Sequence, residues 1–322
     1  MDRRDFIKGT VAAAAVAAGD KTLAPFAEAE NKGHKAIPRR KLGKTGDELS
    51  VIALGGVVVM NVEQQHANNV VAEAFDRGIN YFDVAPSYGN AQDRLGPALK
   101  PYRDRCFLAC KTTERSKDGS QRELDQSLRM LQTDHFDLYQ FHALTKMAEL
   151  EQIMGPGGAM ETFLAAKKAG KIRHIGFSAH SVETALAAMD RFDFDTILFP
   201  VNFVLFSQAN FGPQVLEKAR AKNMGILAIK AMARGVWPEH LKKDHPNPKC
   251  WYEPTDFPAQ ASLGLRWTLS HPITAAVPPG EEKYFRLAMD VASQYAPLDE
   301  KETASLMAGA KGAEPIFKLG NS

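Results

Sequence analysis

Residues 78–89 read Gly78-Ile79-Asn80-Tyr81-Phe82-Asp83-Val84-Ala85-Pro86-Ser87-Tyr88-Gly89. Just upstream, residues 64–77 carry Val70, Val71, Ala74 and Phe75 on one helical face, and Gly78 stops that helix. Tyr81-Phe82-Asp83 is a short β-prone run that ends in a carboxylate, with the phenol of Tyr88 five residues further on. The unit is therefore helix, glycine stop, strand, and a titratable group at the strand's carboxyl end. Two later runs repeat it. Cys106-Phe107-Leu108-Ala109-Cys110 leads into Lys111, and Asp137-Leu138-Tyr139-Gln140-Phe141 leads into His142. As neighbours in one parallel sheet, these strands bring Asp83, Tyr88, Lys111 and His142 to one rim. A phenol beside an ammonium, an imidazole and a carboxylate is an acid–base device suited to a carbonyl or hydroxyl group.

Working outward, the same alternation fills the chain. A hairpin-like start pairs residues 40–42 with 49–51 across Gly43-Lys44-Thr45-Gly46. Strands are then expected at 51–54, 81–83, 107–111, 138–141, 174–177, 196–201, 225–229 and 275–277. Helices are expected at 64–77, 93–99, 121–131, 160–169, 182–191, 213–222 and 260–269. Eight short strands, with a helix after nearly every one, favour a single closed (β/α)8 TIM barrel with an N-terminal β-hairpin over a doubly wound sheet with a second domain. In such barrels the working residues stand at the carboxyl ends of the strands, where this tetrad falls. Gly155-Pro156-Gly157-Gly158 lacks the lysine of a phosphate loop and does not follow a strand, so it reads as a helix-entry loop. Residues 235–258 form a long aromatic-bearing connection after strand seven, expected to be a lid with Trp237, Trp251 and Tyr252 as its substrate contacts.

The bulk numbers exclude some classes. The 322 residues hold 40 Lys and Arg against 38 Asp and Glu, a net charge of +2 that gives no electrostatic footing for nucleic acid or an anionic membrane. Three cysteines supply neither a disulfide framework nor zinc-ligand spacing, so no metal is expected. Cys106 and Cys110 stand roughly 13 Å apart at strand rise, too far for a bridge. At the N-terminus, Asp2-Arg3-Arg4-Asp5-Phe6-Ile7-Lys8 resembles the twin-arginine export signature. The Ala- and Val-rich run from Gly9 to Gly19 is too short to span a bilayer, which takes ~20 residues. Ala27-Glu28-Ala29 offers small residues for cleavage before Glu30. Residues 1–29 are accordingly expected to be a signal read by the twin-arginine translocation machinery. Residues 30–322 are then a periplasmic barrel with no membrane span.

Three stretches resemble the aldo-keto reductase superfamily. They are residues 78–89 as quoted, Leu128-Arg129-Met130-Leu131-Gln132-Thr133-Asp134-His135-Phe136-Asp137-Leu138-Tyr139-Gln140-Phe141-His142, and Gly170-Lys171-Ile172-Arg173-His174-Ile175-Gly176-Phe177-Ser178. The likeness runs from about residue 40 to 298 and implies the same (β/α)8 fold. Matched one by one, it puts the catalytic tetrad on Asp83, Tyr88, Lys111 and His142. It implies hydride delivery from a nicotinamide dinucleotide to a small-molecule carbonyl while Tyr88 protonates the oxygen, or the reverse with an alcohol. Free tyrosine titrates near 10, and a lysine ammonium in reach favours the phenolate and pulls that value down. Asp83 keeps Lys111 charged and placed, and His142 orients the substrate oxygen.

The same resemblance implies the cofactor contacts. Ser178 matches the family's serine after strand five, where the usual asparagine is Ala179 and His180 is the substitute. After strand six Asn202 is the polar residue, and after strand seven Lys230 is expected to reach the pyrophosphate. Pro278-Pro279-Gly280-Glu281-Glu282-Lys283 lacks the Lys-Ser pair that many members use for a 2′-phosphate, leaving Gly280 and Lys283 as contacts and Arg286 as a further cation. The implied cofactor is NADP, with NAD the alternative. Two other functions compete: a cofactor-binding regulatory barrel with little turnover, and a lyase or isomerase reusing the Tyr–Lys pair without redox change.

Overall fold

The structure is a computed structural model and describes residues 35–320; the export segment read at residues 1–29 lies outside the described residues. The expected hairpin is present as β1 (Arg39–Lys41) and β2 (Glu48–Ser50), antiparallel with Arg40 opposite Leu49. Its tip is pressed against the barrel floor. Gly43 has φ +52°, and a Cβ there would lie 2.3 Å from the Gly225 nitrogen, so only glycine fits. Lys44 N–H donates to the Asn223 carbonyl at 2.9 Å.

Beyond the hairpin, strand and helix alternate. In order come β3 (Leu54–Gly55), α1 (Gln64–Asp76), β4 (Tyr81–Asp83), α2 (Ala91–Leu99), β5 (Phe107–Thr112), α3 (Lys117–Met130) and β6 (Phe136–Leu144). Then follow α4 (Met147–Met154), α5 (Ala159–Lys168), β7 (Ile172–Ala179), α6 (Val182–Arg191), β8 (Thr196–Pro200), α7 (Phe203–Ala209), α8 (Pro213–Ala221) and β9 (Gly225–Ile229). The chain ends with β10 (Ala233–Gly235), β11 (Glu253–Pro254), α9 (Pro258–Leu269), β12 (Ala275–Val277), α10 (Glu282–Ser293) and α11 (Glu300–Ala310). Eight parallel strands run β12-β9-β8-β7-β6-β5-β4-β3. A parallel bridge between Ile52 and Ala276 joins the two ends of the sheet and closes the barrel.

Strand alternation separates two cores. Phe82, Leu108, Cys110, Tyr139, Phe141, Ile175 and Phe177 point outward beneath the helices, where Val70, Val71 and Ala74 of α1 meet the sheet as expected. Tyr81, Phe107, Leu138, Leu198, Leu227 and Ala275 point inward and fill the barrel with Leu42 and Leu49 of the hairpin. The floor is thus solid apolar packing, which leaves the carboxyl ends of the strands as the open face.

Several helices lack a strong sequence pattern. α4 buries only Leu150 and Ile153 and is held instead by Glu149, whose carboxylate accepts the backbone N–H groups of Thr145 and Lys146 at 2.8 and 3.0 Å. The long connection after strand seven is not wholly irregular: β10 and β11 pair at its base, and residues 239–241 form a 3-10 turn. No helix among the described residues is long and apolar enough to cross a membrane.

Candidate active site

The carboxyl ends of β4, β5 and β6 supply three of the four expected residues, and the loop after β4 supplies Tyr88. Because alternate residues face the barrel, Asp83 follows Tyr81, Lys111 follows Ala109, and Leu138, Gln140 and His142 line one inward row. Register places Asp83 beside Ala109 and Lys111 beside Gln140. Lys111 is fully buried and forms an ion pair with Asp83, which is 2% exposed. Its ammonium also donates to the Val84 carbonyl at 3.2 Å and stands 5.3 Å from the centre of the Tyr88 ring. The other Asp83 oxygen accepts from the Tyr81 hydroxyl at 3.2 Å and from the Gln140 amide at 3.4 Å. Gln140 was missed in the sequence reading, although the inward alternation with His142 marks it. Its Oε1 is buried without a hydrogen-bond partner.

His142 meets Tyr88 edge-on at 5.8 Å, and its Nδ1 lies 3.4 Å from the Ser87 hydroxyl. A bulge aims it. The β6–β7 register shifts between Phe141 and Leu144, and Ala143 takes φ +53°. Arg115 holds the His142 carbonyl at 2.6 Å, and Ser178 Oγ accepts the Ala143 N–H at 2.7 Å.

Electrostatics give these residues distinct roles. Burial pulls the Lys111 ammonium down, but Asp83 and Tyr88 outweigh it and hold Lys111 above its ordinary value. For Tyr88 burial dominates and raises the phenol, while the Lys111 charge opposes it. The downward pull expected from the lysine is therefore present but is the smaller effect. Burial and then the charge of Lys111 push His142 down to about 3, so its imidazole is neutral across the working range. A neutral imidazole can donate a hydrogen bond but not the proton of an acid, which leaves that task to the phenol.

The remaining predicted contacts sort differently. Ser178 lies on β7 and His180 directly follows that strand, with its ring stacked on Phe317 of the C-terminal segment at 4.9 Å. Lys230 follows β9, with its ammonium 4.4 Å from the Tyr252 ring centre and 4.9 Å from that of Trp251. Asn202 is committed to backbone. Its Oδ1 caps α7 through Val204 and Leu205, and its Nδ2 donates to the carbonyls of Lys230 and Ala233 at 2.9 and 2.6 Å. It fixes the Lys230 turn and has no capacity left for a ligand. Trp237, expected against substrate, is 5% exposed, donates to the Cys250 carbonyl at 2.8 Å and stacks on His245 at 4.2 Å. It ties its own loop together instead of facing a ligand. Trp251 is 57% exposed and Tyr252 is buried beneath it. Gly280 lets its loop pack on Val57, since a Cβ would lie 2.3 Å from that side chain, and Lys283 lies 3.7 Å from Asp256.

A model of the aldo/keto reductase family matches residues 51–308, which takes in every barrel strand. The chain belongs to that family. Its members are oxidoreductases of carbonyl and alcohol groups that use NAD(P). This reductase-family chain is 31% identical over 218 residues to aldo-keto reductase YhdN of Bacillus subtilis, covering 61% of this chain and 62% of that one. To L-galactose dehydrogenase of Arabidopsis thaliana it is 27% identical over 226 residues, covering 63% and 68%. The matched stretch is thus about two thirds of these relatives' lengths. Among solved structures, the putative aldo-keto reductase PA4992 of Pseudomonas aeruginosa aligns with a TM-score of 0.64 at 26% identity, over 80% of this chain and 95% of that one.

Proposed function

We propose that this chain is an NAD(P)(H)-dependent oxidoreductase that reduces an aldehyde or ketone, or oxidises the corresponding alcohol, with Tyr88 as general acid and base. One observation carries the reading: a fully buried Asp83–Lys111 pair whose ammonium faces the Tyr88 ring. Taking such a pair out of water stabilises a fold little or not at all, so an ammonium spent beside a phenol has a use in proton transfer. As Tyr88 gives its proton to the substrate oxygen, the forming phenolate is stabilised by Lys111, and Asp83 keeps Lys111 charged. His142, neutral and edge-on to Tyr88, donates a hydrogen bond that orients the oxygen.

The residues present fit a dinucleotide. The half-buried Lys230 ammonium has no carboxylate partner among the described residues, and a diphosphate supplies one. We assign Ser178 and His180 to the nicotinamide end, as the family resemblance implies. When bound, the reduced nicotinamide supplies the hydride. The test is turnover: purified protein given NADPH or NADH and a panel of aldehydes and ketones should show carbonyl-dependent loss of the reduced-nicotinamide absorbance. Tight binding with no carbonyl accelerating oxidation above the enzyme-free rate would return the regulatory-barrel reading.

We also propose export to the periplasm through the twin-arginine machinery, a reading supported by Arg3-Arg4 and the apolar run after them. Replacing both arginines by lysine should trap full-length precursor in the cytoplasm. Shortened protein still found in the periplasmic fraction would point to another route.

A further inference from the structure

The Asp83 carboxylate is held from two sides. One oxygen faces the Lys111 ammonium, and the other accepts from the Tyr81 hydroxyl at 3.2 Å and from the Gln140 amide at 3.4 Å. All four side chains are buried, and Tyr81, Gln140 and Lys111 are completely enclosed. The last torsion of an aspartate is soft, so a carboxylate with a single donor turns easily. Two donors fixed on the far oxygen leave one orientation, in which the near oxygen is free for the ammonium. Lys111 also donates to the Val84 carbonyl at 3.2 Å, so the end of β4 sets where its charge stands, 5.3 Å from the centre of the Tyr88 ring.

Gln140 is costly where it stands. The barrel interior is apolar, with Leu138 two residues earlier on the same inward row, and a leucine would continue that packing. Instead there is an amide whose Oε1 is buried with no hydrogen-bond partner among the described residues. Such an atom costs stability that an apolar side chain of similar size would keep. The one side-chain hydrogen bond of Gln140 among the described residues goes to Asp83. Tyr81 is the second donor, and it contrasts with Tyr88. At Tyr88 the Lys111 charge opposes the rise that burial imposes. Tyr81 lies inside the barrel, edge-on to Phe107 at 5.9 Å, and burial followed by the Asp83 charge lifts it well above the ordinary tyrosine value. It therefore stays protonated, and stays a donor, while Tyr88 exchanges its proton.

We propose that Tyr81 and Gln140 are positioning residues for proton transfer at Tyr88: from inside the barrel they lock the Asp83 carboxylate, and through it hold the Lys111 ammonium where it stabilises the Tyr88 phenolate. The proposal deepens the oxidoreductase reading and rests on it. Both side chains are enclosed in the barrel, so their removal acts on the chemical step and not on ligand contact. Displacing a working group by about 1 Å costs up to about 10²-fold in rate. The groups facing the Tyr88 phenol are Lys111, Asp83, the Cys110 thiol, which burial pushes up to about 12, and His142, which burial holds neutral. Comparison of any variant with its Tyr88→Phe counterpart isolates the phenol from this set.

The experiment uses the whole protein and the variants Tyr81→Phe, Gln140→Leu and the two combined. Phenylalanine keeps the ring beside Phe107, and leucine replaces an amide of similar size. Single-turnover rates with bound NADPH or NADH should fall about 10-fold in each single variant and ~100-fold in the double, near the lower worth of hydrogen bonds to a charged group. Carbonyl KM and dinucleotide affinity should stay within about twofold, since no ligand contact is lost. In alcohol oxidation, the limb of the pH profile that reports Tyr88 should move up, because a loosely held ammonium opposes burial less. Gln140→Leu should keep or raise Tm, since the unpartnered oxygen goes with the amide. Rate is then lost without loss of stability, a split that a merely structural amide does not give. Double-variant rates within about twofold of wild type, below the worth of such hydrogen bonds, would overturn the proposal. So would a slower double variant whose Tyr88 limb has not moved, because that pattern marks Tyr81 and Gln140 as packing alone. Should no carbonyl accelerate dinucleotide oxidation by the wild type, the oxidoreductase reading fails, and ultraviolet titration of each protein against its Tyr88→Phe counterpart reads the phenol instead. An upward shift in the double variant then supports the positioning of Lys111 by Tyr81 and Gln140, and an unmoved phenol overturns it.

Discussion

Replacing Tyr88 by phenylalanine is expected to lower carbonyl reduction by ~10²–10⁴-fold, the usual loss on removing a general acid. Dinucleotide affinity should stay nearly unchanged. The substitution removes one oxygen and keeps the ring, so the edge contact with His142 at 5.8 Å and the Lys111 ammonium over the ring face survive. No second acid stands ready: His142 is neutral, and Lys111 is fully buried in its pair with Asp83. Single-turnover rates with bound cofactor measure the chemical step, and fluorescence titration measures affinity. A variant keeping more than about a tenth of the rate would sink the assignment of Tyr88, since general acids are worth far more.

Lys111→Met should lower both stability and activity. It leaves Asp83 buried with only the Tyr81 hydroxyl and the Gln140 amide as donors. An orphaned partner of a buried ion pair typically costs about 3–5 kcal/mol, which chemical denaturation resolves. Lys111 is held above the ordinary lysine value of 10.5, so the pair's stabilisation is full below that pH and is lost as pH rises through the raised value. For activity, the methionine removes the one charge that opposes the rise of the Tyr88 phenol. The alkaline limb of the pH–rate profile should therefore move up, and alcohol oxidation, which needs the phenolate, should fall at every pH below it. A companion variant, Asp83→Leu with Lys111→Met, separates the two effects. Removing both charges should recover much of the stability and none of the activity. An unchanged pH profile in Lys111→Met would show that the ammonium does not act on the phenol.

Much of the site was legible because its signals are local. Strand alternation and helical spacing each extend over a few residues, and a titratable group at a strand's carboxyl end is visible wherever the strand is. Those signals were enough to bring Asp83, Lys111 and His142 to one rim, and the fixed stretch 78–89 added Tyr88. The same alternation put Gln140 in the barrel, but nothing in the order of residues says that its amide reaches Asp83. The short helix α4 was invisible for a related reason. Its two buried residues make no periodic pattern, and its start depends on Glu149 folding back onto the backbone of Thr145 and Lys146.

Partnership was the part that only tertiary structure decided. Trp237 and Trp251 are alike as aromatic residues of one long loop, yet one is buried against His245 and the other stands exposed over Lys230. Asn202 looked like a free amide until α7 and the Lys230 turn used all of its hydrogen bonds. Lys230, Lys283 and Arg286 are equally charged in sequence, and which of them lacks a carboxylate depends on packing between segments far apart in the chain. The sign of the Tyr88 shift was likewise a question of depth: a nearby lysine is readable from strand order, but the water excluded from around the phenol is not. Local periodicity thus determined the barrel and which titratable residues end its strands. Burial and pairing, which are properties of the closed fold, decided which charges are spent on structure and which remain for a ligand.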